Sequence, residues 1–167
     1  MCRLLLSIVF FFGIGIFQLH AQDMNPDRLK DLIIKASDTL VSNGNSHQFI
    51  YKARPLICVY DEKANRMRIV SPIIKREEIG EEEILNALVA NFHLALDVKY
   101  ALSDEIIWSV FIHPLKELSD HQILDAIEQV HAASVTFGST YSSTTLVFPG
   151  NTKKKEEPKA KKLIERS

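Results

Sequence analysis

Residues 104–115, DEIIWSVFIHPL, constrain the fold more than any other part of the chain. As a β-strand, this stretch alternates its side chains between two faces of a sheet, with Ile106, Trp108, Val110 and Ile112 on one face and Ile107, Ser109 and Phe111 on the other. Both faces are apolar, whereas an antiparallel strand with one solvated face alternates apolar and polar residues. The sequence therefore predicts a strand that is covered on both sides, either by this chain alone or by this chain and a partner.

Residues 1–21 are predicted to be a secretory signal peptide. They contain one cation, Arg3, then an uncharged apolar run over residues 4–17, and the small residue Ala21 before the first carboxylate. The run is shorter than the roughly 18 to 20 residues that span a bilayer as a helix. We expect cleavage near Ala21, no stable membrane span in the mature protein, and a periplasmic or secreted location.

The rest of the chain is predicted to be one domain over residues 22–150, followed by a charged and disordered tail over residues 151–167. The tail carries seven Lys or Arg residues against three Glu and has few apolar residues with which to order itself. Its three Glu residues and the predicted export argue against nucleic acid as a partner. Cys58 is the only cysteine after the signal peptide, so no internal disulfide is expected and packing must hold the fold.

Apolar periodicity predicts three helices and five strands. Helix one begins at the Asn25–Pro26 cap and continues to the turn at residues 42–46, helix two covers residues 81–92, and helix three begins at a Ser119–Gln122 capping box and ends near Gly138. The strands are predicted at residues 48–52, 55–60, 67–71, 97–102 and 106–113, with residues 146–148 as a short edge strand or a packed segment. The fold class is α+β, in the order α-β-β-β-α-β-β-α, with a twisted antiparallel five-stranded sheet.

Motifs for catalysis or metal binding are absent from the sequence. It contains no GxSxG, no Gly-rich phosphate loop, no HExxH and no paired cysteines. His121 and Asp125 have a ligand-like spacing, but a hydrogen bond on a helix surface is the better interpretation. Cys58 alternates with apolar neighbours and is interpreted as a small buried side chain. We expect no enzyme, no catalytic residue, no metal and no cofactor.

Two segments resemble the YbjN-like family, small bacterial proteins described as sensory-transduction regulators that share the fold of type III secretion chaperones. They are RPLICVYDEKANRMRIVSPI and ALVANFHLALDVKYALSDEIIWSVFIHPLKELSDHQILDAIEQV. In that family a helix ends in Asn-Phe, which corresponds here to Asn91-Phe92. A hairpin with a long apolar second strand follows, and the next helix begins near Ser-Asp, which corresponds here to Ser119-Asp120. The predicted signal peptide excludes service to a cytosolic type III machine, and the basic tail is not part of the family pattern.

The resemblance implies that helices one and three cover one face of the sheet, which leaves apolar surface for a second subunit or a client polypeptide. The predicted function is a non-enzymatic, extracytoplasmic protein-binding module of chaperone-like or regulatory type, whose partner is a protein or peptide client or a second copy in a homodimer. The candidate partner-binding residues are Phe111, Ile107 and Trp108, with Trp108 expected on the internal face and Phe111 towards the partner. Three alternatives stay open: a small periplasmic hydrolase without a recognisable motif, a structural envelope protein, and cover of the second face by helix two or residues 146–148.

Overall fold

The computed structural model describes residues 23–144, which form three helices and one six-stranded sheet. The helices are α1 (Pro26–Ala36), α2 (Glu81–His93) and α3 (Asp120–Thr136). The strands are β1 (Thr39–Asn43), β2 (Ser46–Tyr51), β3 (Arg54–Asp61), β4 (Arg66–Lys75), β5 (Val98–Ser103) and β6 (Ile106–His113). All neighbours are antiparallel in the spatial order β1-β2-β3-β4-β6-β5. The predictions for residues 1–21, 146–148 and 151–167 lie outside the described residues.

The α+β class is confirmed, but the prediction of five strands is wrong because helix one is shorter than its apolar spacing suggested. The helix ends at Ala36, where the Ser37 N–H donates to the Ile33 carbonyl, and the chain then becomes extended. Leu40 pairs with Phe49 and packs against the core, whereas Val41 points the other way and is exposed. The four-residue spacing from Ala36 to Leu40 is compatible with a helix, but the alternation from Leu40 onwards makes a strand. Residues 39–43 therefore add a sixth strand.

Helices α1 and α3 cover one face of the sheet, as the resemblance implied. The side chains buried beneath them include Phe49, Leu56, Cys58, Met67, Ile69, Val98 and Phe111 from the sheet, and Leu29, Ile33, Ile123, Ile127 and Val130 from the helices. Burial raises the pKa of the Cys58 thiol to about 12, so this residue packs as a small apolar side chain.

On the surface, Arg28 joins α1 to α3. Its Nε and Nη2 donate to the Asp120 carboxylate at 2.5 and 2.7 Å.

The start of α3 agrees with the sequence. Ser119 Oγ accepts from the Gln122 N–H at 3.3 Å, and Gln122 Oε1 accepts from the Ser119 N–H at 2.9 Å. Leu118 and Ile123 are both buried on either side of this capping box. The two reciprocal bonds satisfy amide hydrogens that have no partner inside the helix, which explains why this boundary was predictable.

Strand β6 lies between β4 and β5, and its side chains alternate as predicted, but the faces are the reverse of those expected. Phe111 and Ile107 are buried on the helix-covered face, while Trp108 lies on the opposite face. The prediction that Trp108 is internal is therefore wrong. The reason is Ser109: its hydroxyl donates to the Val130 carbonyl of α3 at 2.9 Å and lets the helix approach closely. Ser109 therefore lies under the helix, fully buried.

Helix α2 lies at the β5 edge of the sheet. The Asn91 side-chain amide donates to the Tyr100 carbonyl at 3.1 Å, and its oxygen accepts from the Tyr100 N–H at 2.7 Å. Ala87 and Ala90 are the buried residues of the helix. The alternative in which helix two covers the second face of the sheet is therefore wrong.

Within residues 23–144, no helix is long and apolar enough to cross a membrane.

His47 of β2 is buried beside α1. Its Nδ1 lies 3.0 Å from Ser42 Oγ, its ring lies 5.5 Å from that of Tyr60, and its Nε2 has no hydrogen-bond partner among the described residues. Burial lowers the pKa of His47, and the positive charge of Lys30 lowers it further. The folded protein therefore favours the neutral imidazole.

We expect His47 to make the protein less stable on acidification. The ordinary pKa of histidine is about 6.5, so the unfolded chain binds a proton at this position as the pH falls through that value. The folded chain binds the proton only at lower pH, because its His47 pKa is lowered. The free energy of unfolding therefore decreases between the two pKa values. His47→Gln should flatten this slope in denaturant unfolding measured across the range, because glutamine does not titrate. His121→Gln, at an exposed position on α3, is the control; an unchanged slope in His47→Gln would contradict the assignment.

Candidate functional site

The face of the sheet opposite α1 and α3 carries a continuous apolar surface. We call it the open face and define it by Ile57, Val59, Val70, Trp108, Val110 and Ile112. Backbone pairing aligns Ile57, Val70 and Val110 across β3, β4 and β6. Four of these side chains are half-buried, whereas Val59 is 39% exposed and Ile112 is 60% exposed. A contiguous apolar patch of this kind is typical of a binding surface.

A shallow cavity of about 170 Å³ lies at one end of the open face. Val59 and Ile112 contribute apolar walls, and the exposed residues Arg66 and Arg68 lie beside them. Backbone pairing places Arg68 between Val59 and Ile112. Asp61 also lines the cavity, but the two guanidinium groups outnumber its carboxylate. The cavity can therefore accommodate an apolar side chain next to a carboxylate.

Trp108 lies on the open face with its polar atom satisfied. The indole Nε1 donates to the Ser103 carbonyl at 3.1 Å across the β5–β6 turn. The ring therefore offers apolar area without an unpaired donor. Of the three residues that the sequence suggested for partner binding, only Trp108 lies on this face. Phe111 and Ile107 belong to the core of this chain, so the structure does not bring the three together on one surface.

A second apolar surface runs along α2. We call it the α2 stripe; it consists of Leu85, Leu88, Val89 and Phe92, which are 61%, 59%, 58% and 85% exposed. Helical spacing placed these large side chains on one face, but the helix turns its alanines towards the sheet instead. The signal that could have revealed this orientation is Asn91, which is adjacent to the alanine face and bonds to β5.

A cavity of about 700 Å³ lies between α3, residues 96–97 and residues 140–144. Gln129 is buried there: its amide donates to Asp125 Oδ2 at 2.7 Å and Asp97 Oδ2 at 3.3 Å, and its oxygen accepts from the Asp97 N–H at 3.3 Å. These bonds hold the loop before β5 against α3.

In the described part of the chain, no three His, Cys, Asp or Glu side chains are grouped so as to hold a metal ion.

A polar cluster fixes the β2–β3 turn to α3. Tyr51 Oη and Lys52 Nζ both donate to Glu128 Oε2, the latter at 2.6 Å. Burial opposes ionisation of Glu128, but these two hydrogen bonds leave its pKa below the ordinary value. Lys52 and Ala53 have φ values of 47° and 63°, a left-handed conformation that is costly for residues with a Cβ and that the contacts with α3 help to maintain.

The architecture is an α+β fold with two helices on one face of an antiparallel sheet, a third helix at the sheet edge, and an apolar face left open. A chain in the solved structure of the HopA1-SchA chaperone-effector complex is similar to this one, with a TM-score of 0.52 and 13% sequence identity. The similarity covers 65% of this chain and 88% of that chain. At this identity the similarity shows the fold alone. No protein-family model and no curated protein matches the sequence.

Proposed function

We propose that this protein is a non-enzymatic polypeptide-binding module of the YbjN-like type, which acts in the periplasm or outside the cell. The observation that carries the proposal is the open face, an apolar surface on a fold similar to that of a chain in a chaperone–effector complex. The resemblance of residues 47–130 to the YbjN-like family supports the finer assignment. The signal-peptide pattern of residues 1–21 supports the location.

The client is an extended segment that carries apolar residues and carboxylates. An extended peptide presents alternate side chains to one side, so its apolar residues can lie along Ile57, Val70 and Val110. The cavity at Ile112 takes an anchoring side chain, and Arg66 and Arg68 favour acidic residues next to that anchor. The charges supply selectivity and steering, while the apolar contacts supply most of the affinity.

Fluorescence anisotropy with labelled peptides tests the proposal. The probes are peptides of about eight residues, the length of β6 when extended, in which every second residue is valine or isoleucine except for one glutamate, so that the glutamate lies on the same side as the apolar residues. The full chain should bind them, and should bind the same peptides with lysine in place of glutamate more weakly. Ile112→Ser should weaken binding by roughly five-fold or more, as loss of an interface anchor does. Arg68→Gln should reduce the dependence of binding on salt.

Val135→Ser is the matched control, because Val135 is an apolar residue of similar exposure on α3, away from the open face. It should leave binding unchanged. Absence of binding to every peptide, or equal binding by the wild type and Ile112→Ser, would refute the open face as the client site. Fractionation of the native host with intact-mass measurement tests the location: the mature chain should begin near residue 22 and leave the cytoplasm.

A further inference from the structure

We infer that the β2–β3 turn and His131 of α3 form a pH switch: a neutral His131 ring holds the turn against α3, and a protonated ring lets the turn open. The ring of His131 contacts that of Tyr51 edge-on, with the two centroids 5.4 Å apart. Tyr51 and Lys52 also donate hydrogen bonds to Glu128 on the same helix. The end of the hairpin is therefore attached to α3 in two ways, through a ring contact and through a carboxylate.

The Nδ1 atom of His131 is buried and has no hydrogen-bond partner among the described residues. A neutral imidazole tolerates this position, because only one of its two ring nitrogens carries a hydrogen. A protonated imidazole carries a hydrogen on both nitrogens, so the closed turn would enclose a charged donor without an acceptor. Moving the ring out to water removes this penalty, and the contact with Tyr51 is then lost.

The charges around His131 come from α3 and from the hairpin, and burial has the largest effect. Burial lowers the pKa of His131. The positive charges of Lys52 and Arg54 lower this pKa further, whereas the Glu128 carboxylate and a hydrogen bond with the Lys52 backbone raise it. Tyr51 adds no charge in this range, because burial raises the pKa of its phenol. The balance is a lowered His131 pKa, so the closed turn resists a proton that the open turn accepts near about pH 6.5.

The backbone of the turn makes these attachments necessary. Lys52 and Ala53 both have positive φ, 47° and 63°, which two-residue hairpin turns normally achieve with Asn or Gly. A Lys-Ala turn is therefore costly in this conformation and depends on its contacts with α3. The pKa of Glu128 lies below its ordinary value, so this attachment persists while histidine titrates. Between about pH 7 and about pH 5, the His131 contact is therefore the one that acid removes.

Amide hydrogen exchange followed by NMR in the full chain tests the inference. Tyr51 and Arg54 pair at the end of the hairpin, so their amides report opening of the turn. After correction for the intrinsic pH dependence of exchange, opening should be at least about three-fold more frequent at about pH 5.5 than at about pH 7.5, because one unit of lowered pKa corresponds to a factor of about ten. His131→Gln, which does not titrate, should remove this increase. His121→Gln, exposed on the same helix, is the matched control and should retain it.

Titration of the His131 ring protons by NMR gives a second readout. The midpoint should lie below about 6.5, the ordinary histidine pKa. Arg54→Gln removes a cation that acts on the ring and should raise the midpoint. Arg66→Gln, at an exposed position on β4, is the control and should leave it unchanged. A wild-type midpoint at or above the ordinary value, or an acid-dependent increase in exchange that persists in His131→Gln, would overturn the inference. Neither measurement uses a client peptide, so the result is independent of the proposed function.

Discussion

Phe111→Ala is expected to lower the free energy of unfolding by about 3 to 5 kcal/mol, the usual result of truncating a buried aromatic side chain. Phe111 is 5% exposed, pairs with Ile69 on β4 and Val98 on β5, and belongs to the core under the helices. Both of those neighbours are fully buried and cannot move far to fill the space. Equilibrium denaturation with urea, monitored by circular dichroism, measures the loss.

Trp108→Ala provides the comparison on the same strand. Trp108 faces away from the helices, so its removal leaves no internal cavity and should cost much less stability than Phe111→Ala, although the residue is larger. The lost hydrogen bond to the Ser103 carbonyl is exposed to water and adds little. Equal and severe destabilisation by both substitutions would mean that both faces of β6 are covered, and the open face would no longer be a candidate binding surface.

Asn91→Ala is expected to cost about 2 kcal/mol, because it removes two hydrogen bonds and leaves the Tyr100 N–H and carbonyl without these partners. Tyr100 is buried, so water does not replace the lost bonds fully. The loss should also loosen α2 on β5, since Asn91 joins the helix to the edge strand through both bonds. Hydrogen exchange of the Tyr100 amide, together with the free energy of unfolding, reports both effects.

Asn86→Ala is the matched control for Asn91. Both residues are asparagines of α2, but Asn86 is exposed, so its replacement by alanine should be neutral or slightly stabilising through helix propensity. If Asn91→Ala behaves in the same way, the two hydrogen bonds do not hold the edge helix in solution.

Local rules predicted the parts of this fold that local interactions decide. The caps at Asn25 and Ser119 fixed two helix starts because each side chain satisfies an amide hydrogen within its own first turn. The alternation of β6 was predictable because successive residues of a strand point to opposite faces. The chaperone-like fold followed from the order of elements, and the similar solved structure supports it.

Tertiary contacts decided the parts that sequence reasoning missed. Leu40 suits both a helical stripe and a strand, and its pairing with Phe49 determines which forms. The face of β6 that meets α3 depends on the hydrogen bond from Ser109 to a carbonyl more than twenty residues away in the chain, which no local pattern encodes. The exposure of the α2 stripe was not predictable from the sequence, because large apolar residues are buried more often than alanine. Here the alanines allow the helix to approach the sheet edge.

The position of α3 at the end of the described chain has a consequence for the order in which the protein acquires its structure during synthesis. The strands β1 to β4 are joined by short turns and can pair as they emerge, but α3 supplies much of the cover for β4, β5 and β6. Until residue 136 has left the ribosome, the inner side of that sheet, with Met67 and Ile69, has only part of its cover. The nascent chain therefore remains incompletely folded for most of its translation, and during that time its exposed apolar side chains can cause aggregation.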